Sequence, residues 1–220
     1  MSIVIPVIIA LAPALIALAK VAGAKGGAWI IAVLGGGGWF LALILRIPIL
    51  MAVHLQEAIY GYFASLMAGL FEETTRFLLL RIDLVRSSSI KGSIALGLGW
   101  GLVEALLVYA IPVCLIASLY QYNWVDLLPG ALERNSAILI HLSLTLLLSR
   151  NPWSLKLLTA SILIHSAANS IAMIALDLLT NAWLVELVIA VFSALTFTTI
   201  AIPMLRDLRS TVNKEVKGAL

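Results

Sequence analysis

GLFEETTRFL, residues 69–78, sets Glu72, Glu73 and Arg76 inside a run that otherwise reads as membrane-spanning helix. An ionised side chain costs several kcal/mol at the centre of a bilayer, so such residues belong in a span only where they face a bundle interior or a water-filled cavity. The surrounding chain leaves no simpler reading of the stretch. Of 220 residues, 62% are hydrophobic and 11% charged, whereas a soluble domain carries about 25% charged and about 45–50% apolar residues. Apolar runs continue to about residue 205 with only short charged joints between them, which leaves no room for a soluble domain of ordinary size. The expected fold class is therefore all-α, a polytopic membrane helix bundle in the lipid bilayer, with a single transmembrane domain over residues 1–220.

A helix needs about 20 residues to cross the hydrocarbon. Cutting the chain at its charged and glycine-rich joints predicts seven spans, near 2–20, 28–52, 59–81, 91–118, 133–149, 156–177 and 185–205. A short or re-entrant element could lie at 121–132. With the N-terminus outside, the cytoplasmic joints and tail hold Lys20, Lys25, Arg81, Arg86, Lys91, Arg150, Lys156, Arg206, Arg209, Lys214 and Lys217, which is 11 of the 14 basic residues. The external joints hold Glu57, Asp126, Glu133, Asp177 and Glu186 against one basic residue, Arg134. The positive-inside rule thus predicts an external N-terminus and a cytoplasmic C-terminus, with residues 206–220 as a basic tail against anionic lipid. Dispersed at helix ends, the charges give a net +3 that is a topology signal, and no nucleic-acid partner is expected. A lone cysteine, Cys114, excludes an internal disulfide and a cysteine-rich metal site. The N-terminal run lacks a basic n-region and reads as a retained first helix.

Few polar groups remain inside the spans: Glu72, Glu73, Arg76, Glu104, His141, His165, Asn169 and Arg46. Counted from the cytoplasmic helix ends at about 1.5 Å per residue, Glu72 lies about 13 Å deep, Glu104 about 20 Å, His141 about 12 Å and His165 about 13 Å. Four helices place ionisable groups in one slab about 8 Å thick, which predicts a shared polar cavity. Glu72 and Arg76 stand at i and i+4 and can pair, as do His165 and Asn169. Glu73 is turned about 100° from Glu72. That assigns Glu72 to the centre and Glu73 to a supporting contact, though the two could exchange roles. Trp100 could wall the cavity. Arg46 falls in the outer half, where snorkelling is cheap. Glu133 and Arg134 read as a contact at a helix start near the outer surface, with Glu133 on the His141 face and able to line an entrance.

These residue types suit hydrolysis of a peptide bond. A buried glutamate can take a proton from water and return it to the leaving amine. A histidine can orient the water, and donors such as His165 and Asn169 can steady the oxyanion. Two histidines with two or three carboxylates also suffice for zinc with an open water position, the candidate ligands being Glu72, Glu104, His141 and His165. No HExxH or GxSxG motif is present. Glutamic and metallo routes both stay open on the residues alone.

EETTR at 72–76, WGLVEA at 100–105, ERNSAILIH at 133–141 and HSAAN at 165–169 resemble, in order and spacing, the YhfC family of intramembrane proteases. That family is related to the PrsW proteases and, more distantly, to the CAAX prenyl proteases and bacteriocin-processing proteins. The resemblance covers roughly residues 60–170. It implies that Glu72 activates water with Arg76 behind it, that Glu104 stands where CAAX-type relatives carry a histidine, and that His165 and Asn169 form the oxyanion site. His141 would then supply the imidazole. The expected partner is a membrane protein or peptide substrate; the oligomeric state is not legible. A midplane-site transporter would also place acids and histidines here, but the halves show no inverted repeat. A catalytically silent binding or assembly protein would keep the same cavity.

Overall fold

The computed structural model describes residues 3–24, 26–120 and 123–206, and the regular structure among them is entirely helical. Helix α1 (Val4–Ala22) stops at Gly23, whose φ of 56° is in the left-handed region. It is followed by α2 (Gly26–Ala52), α3 (Glu57–Leu79) and a single turn, α4 (Asp83–Arg86). Helix α5 (Ser89–Glu104) continues through a π-helical segment, Ala105–Ala110, into α6 (Ile111–Tyr120). A 3-10 turn (Trp124–Leu127) leads into α7 (Leu128–Ser149), then α8 (Leu155–Leu178) and α9 (Ala182–Thr196), which ends in a second π-helical segment, Phe197–Ala201. Ser154 and Asn181 start α8 and α9 as side-chain caps, accepting from the Leu157 and Trp183 amides.

Both π-helical segments end two residues before a proline, Pro112 and Pro203. A proline has no N–H to give and its ring crowds the carbonyl four residues back. The preceding turn widens to i→i−5 bonds, Ile111 N–H to Leu106 O and Ile202 N–H to Phe197 O. The long fourth span thus passes Pro112 through a π segment, and Glu104 stands immediately before it.

Among the described residues, six helices are long and apolar enough to cross a membrane: Val4–Ala22, Gly26–Ala52, Ile90–Ile116, Trp124–Ser149, Leu155–Leu178 and Ala182–Arg206. The protein is a multi-pass membrane bundle. The third expected span, now α3, is not among the six, because Glu72, Glu73 and Arg76 with two threonines dilute its apolar run. Helix α7 begins at Leu128 with Pro129 in its first turn, five residues before the expected 133, so Glu133 and Arg134 sit inside a helix and not at its start. Lys25, residues 121–122 of the expected re-entrant stretch, and all of the basic tail beyond Arg206 lie outside the described residues.

Helices α5 and α7 form the centre, with 56% and 61% of their apolar windows buried, against 17% in α8 and 22% in α1. Leu96, Leu98, Trp100, Leu144, Leu146 and Leu148 fill this core, while outward residues such as Val33 and Leu163 stay exposed, as lipid-facing side chains should. Glycines let α2 and α5 touch along their backbones. A Cβ on Gly99 would lie 2.0 Å from Ala32 O, and one on Gly35 would lie 2.2 Å from Leu96 O. Gly99→Ala is therefore expected to cost about 1–3 kcal/mol by overpacking. Gly37→Ala, with nothing within 4 Å, should be neutral or gain up to about 1 kcal/mol in helix propensity. Detergent unfolding curves of the two variants check the contrast.

Candidate metal centre

The crossing of α2, α3, α5, α7 and α8 brings the scattered polar residues to one place. Glu72 Oε1 accepts from Arg46 Nη1 of α2 at 2.7 Å, and its Oε2 accepts from the Trp100 indole of α5 at 3.1 Å. Glu73, one residue on, points elsewhere: both its oxygens lie 2.5 Å from Arg76 Nη1, and neither residue is exposed. Arg76 also stacks on Trp100, 4.3 Å from the ring centroid, and donates from Nη2 to His141 Nδ1 at 2.9 Å.

The tautomers follow from the donors. Arginine cannot accept, so His141 Nδ1 is the acceptor and the proton of the neutral ring sits on Nε2, where it meets Glu104 Oε2. His165 Nδ1 lies 2.7 Å from Glu73 Oε1, and a carboxylate only accepts, so Nδ1 carries the proton. That leaves the neutral ring's Nε2 lone pair on the side of Glu72, 3.9 Å from Oε2. Glu104 in turn pairs with Arg134 at 3.0 Å, and Arg134 is bonded to Glu133.

Ligand atoms of Glu72, His141 and His165 lie within 4.8 Å of one another, and all three residues are buried. The two imidazole rings meet edge to face at 5.3 Å. One carboxylate and two imidazoles form a known zinc donor set. Glu73 against the far nitrogen of His165 supplies the outer carboxylate that orients such ligands. The donor set therefore fits a metal ion, with His141 required to release one of its two present partners.

A cavity of about 220 Å³ adjoins the cluster, lined among others by Trp39, Glu72, Glu104, His141, His165 and Asn169. Of the seven expected site residues, Glu72, Glu104, His141, His165 and Asn169 reach this cavity, while Glu73 and Arg76 stand behind it. The expected Glu72–Arg76 pair is replaced by Glu73–Arg76 at i, i+3. Arg46, read as a snorkelling residue, turns inward to Glu72 instead. Arg134, read as a surface contact, joins Glu104. Trp100 is fully buried against Arg76 and Glu72 and does not line the cavity, a place taken by Trp39.

An all-α membrane bundle with a buried Glu/His/His cluster beside a cavity is consistent with metal-activated chemistry in a membrane protein. Residues 38–125 match the family model described as YhfC intramembrane metalloprotease. The chain is also 29% identical, over 172 residues, to the uncharacterized membrane protein YhfC of Bacillus subtilis (strain 168), covering 62% of this chain and 66% of that protein. Both matches are to the family that its motifs resemble. The chain thus spans just under two thirds of that relative. The family match contains Glu72, Glu73, Arg76 and Glu104; His141, His165 and Asn169 lie beyond its end.

Proposed function

We propose that the protein is an intramembrane endopeptidase that hydrolyses a peptide bond of a membrane-embedded or membrane-proximal substrate with activated water. The observation that carries this reading is the Glu72–His141–His165 triangle beside a cavity, with Glu73 holding the far side of His165. Glu72, His141 and His165 would hold a zinc ion. When bound, that ion supplies a Lewis acid for the scissile carbonyl and makes water acidic enough to attack near neutral pH. Glu104, in the cavity wall, then takes the proton of the attacking water and delivers it to the leaving amine as the C–N bond breaks. In a metal-free protein Glu72 would do the same. Asn169, with no hydrogen bond among the described residues, donates to the carbonyl oxygen. Arg76 and Glu73 fix the two histidine rings.

The proposal includes seven spans in a single domain, with α3 as the seventh, the N-terminus outside and the C-terminus in the cytoplasm. Helix α3 has 23 residues, enough for about 34 Å. Its charged groups near the site turn inward, while Leu66, Leu70 and Leu78 remain exposed.

Cleavage of a quenched transmembrane reporter peptide in proteoliposomes tests the reading. The folded Glu72→Ala/His165→Ala variant should show no turnover above empty liposomes, and turnover at the parent rate would end this assignment. Loss of solute flux with Glu104→Gln, in liposomes that never cleave peptide, would favour a transporter.

A further inference from the structure

A second cavity, about 550 Å³, runs outward from the first. The two share Arg46, Ala68, Glu133, Arg134, Asn169, Ala172 and Ile189 in their linings and so form one passage. One wall is the α3 face that carries Gly61, Ala64, Ser65 and Ala68 and then reaches Glu72. Packed against it is the α8 face that carries Leu176, Met173, Ala172 and Asn169 and then reaches His165. Ser65 Oγ at 3.5 Å from Met173 Sδ shows these two helices packed together as one side of the passage, and Glu133 and Arg134 of α7 with Val185 and Ile189 of α9 complete its lining. Leu50, Tyr60, Gly130 and Glu186 lie at the outer mouth, at the end of the bundle where the 53–56 and 179–181 joints lie.

The shape of this passage selects the form of what enters. A helix with its side chains is about 10 Å across, so about 7 Å of its length would fill 550 Å³. An extended strand advances about 3.3 Å per residue and exposes its carbonyls. Arg46 and Arg134 stand where the cavities join, each already tied to a site carboxylate and each carrying further N–H donors for such carbonyls. Resting on the peptidase reading, we infer that a polypeptide enters from the joint-bearing end as a locally unwound, extended strand along the α3–α8 side of this passage, with Arg46 and Arg134 positioning its backbone oxygens.

The passage is tested without cleavage, on purified full-length protein in detergent. With Cys114→Ala as background, Ala172→Cys places a thiol at the join, and its rate of reaction with a water-soluble maleimide is measured. Ala64→Trp, which fills the outer cavity, should slow labelling at least tenfold, and Met173→Trp should do so from α8 if the first variant does not fold. Leu66→Trp, on the exposed face of α3, should leave the rate within twofold. Absent labelling in the open protein, or an unchanged rate in the filled variants, would overturn the passage. A hydrophobic 20-residue peptide with a central Gly-Pro pair should protect the thiol, and its uninterrupted Ala-Leu counterpart should not. Equal protection by both, or by neither, would overturn the extended-strand inference. Protection by the first peptide without any cleavage in the Cys114→Ala parent would leave the passage standing and refute the peptidase reading alone.

Discussion

Arg76→Met is expected to lower the unfolding free energy by about 3–5 kcal/mol, the usual cost of leaving one member of a buried ion pair alone. The guanidinium is fully buried between the Glu73 carboxylate, His141 Nδ1 and the Trp100 ring. Removing it leaves the buried Glu73 carboxylate with no cationic partner and only the His165 Nδ1–H donor, and frees the His141 imidazole to rotate. Adding Glu73→Gln removes the stranded charge and should restore much of the stability, whereas the histidines stay unsupported. Unfolding in mixed micelles measures both effects. A loss below about 1 kcal/mol in Arg76→Met would mean that the pair is not buried as described.

Glu104→Gln should lower peptide cleavage by about 10²–10⁴-fold, the range for loss of a positioned acid-base group. Glu73→Gln should act differently. It keeps the shape but weakens the brace on His165 Nδ1, so metal affinity should fall by about 10–100-fold and cleavage should recover as zinc is raised. Titrating each variant with zinc while following cleavage separates the two. Recovery of Glu104→Gln at high zinc, with none for Glu73→Gln, would contradict both roles.

The convergence of Glu72, Glu104, His141 and His165 was legible because rise per residue is fixed within any straight helix, so depth can be counted without knowing how the helices pack. Rotation about each helix axis was not legible. Arg76 can reach a partner at i−3 or i−4, and only the positions of α7 and α8 decide for Glu73 over Glu72. Arg46 was assigned to snorkelling by its depth alone, though its neighbour across the α2–α3 contact is the Glu72 carboxylate. Arg134 was misplaced with the start of α7, since an apolar count begins a span late when its first turns carry Asp126, Pro129 and Gly130. The same dilution by site residues keeps α3 from meeting a simple measure of membrane-crossing apolarity.

The metal content of full-length protein, purified in mild detergent without chelator and compared with folded Glu72→Ala/His165→Ala, tests the centre most directly. About one zinc per chain, lost in the variant, is predicted for a carboxylate and two imidazoles with an open fourth position. No zinc in the folded parent after incubation with the ion, or equal zinc in parent and variant, would contradict it.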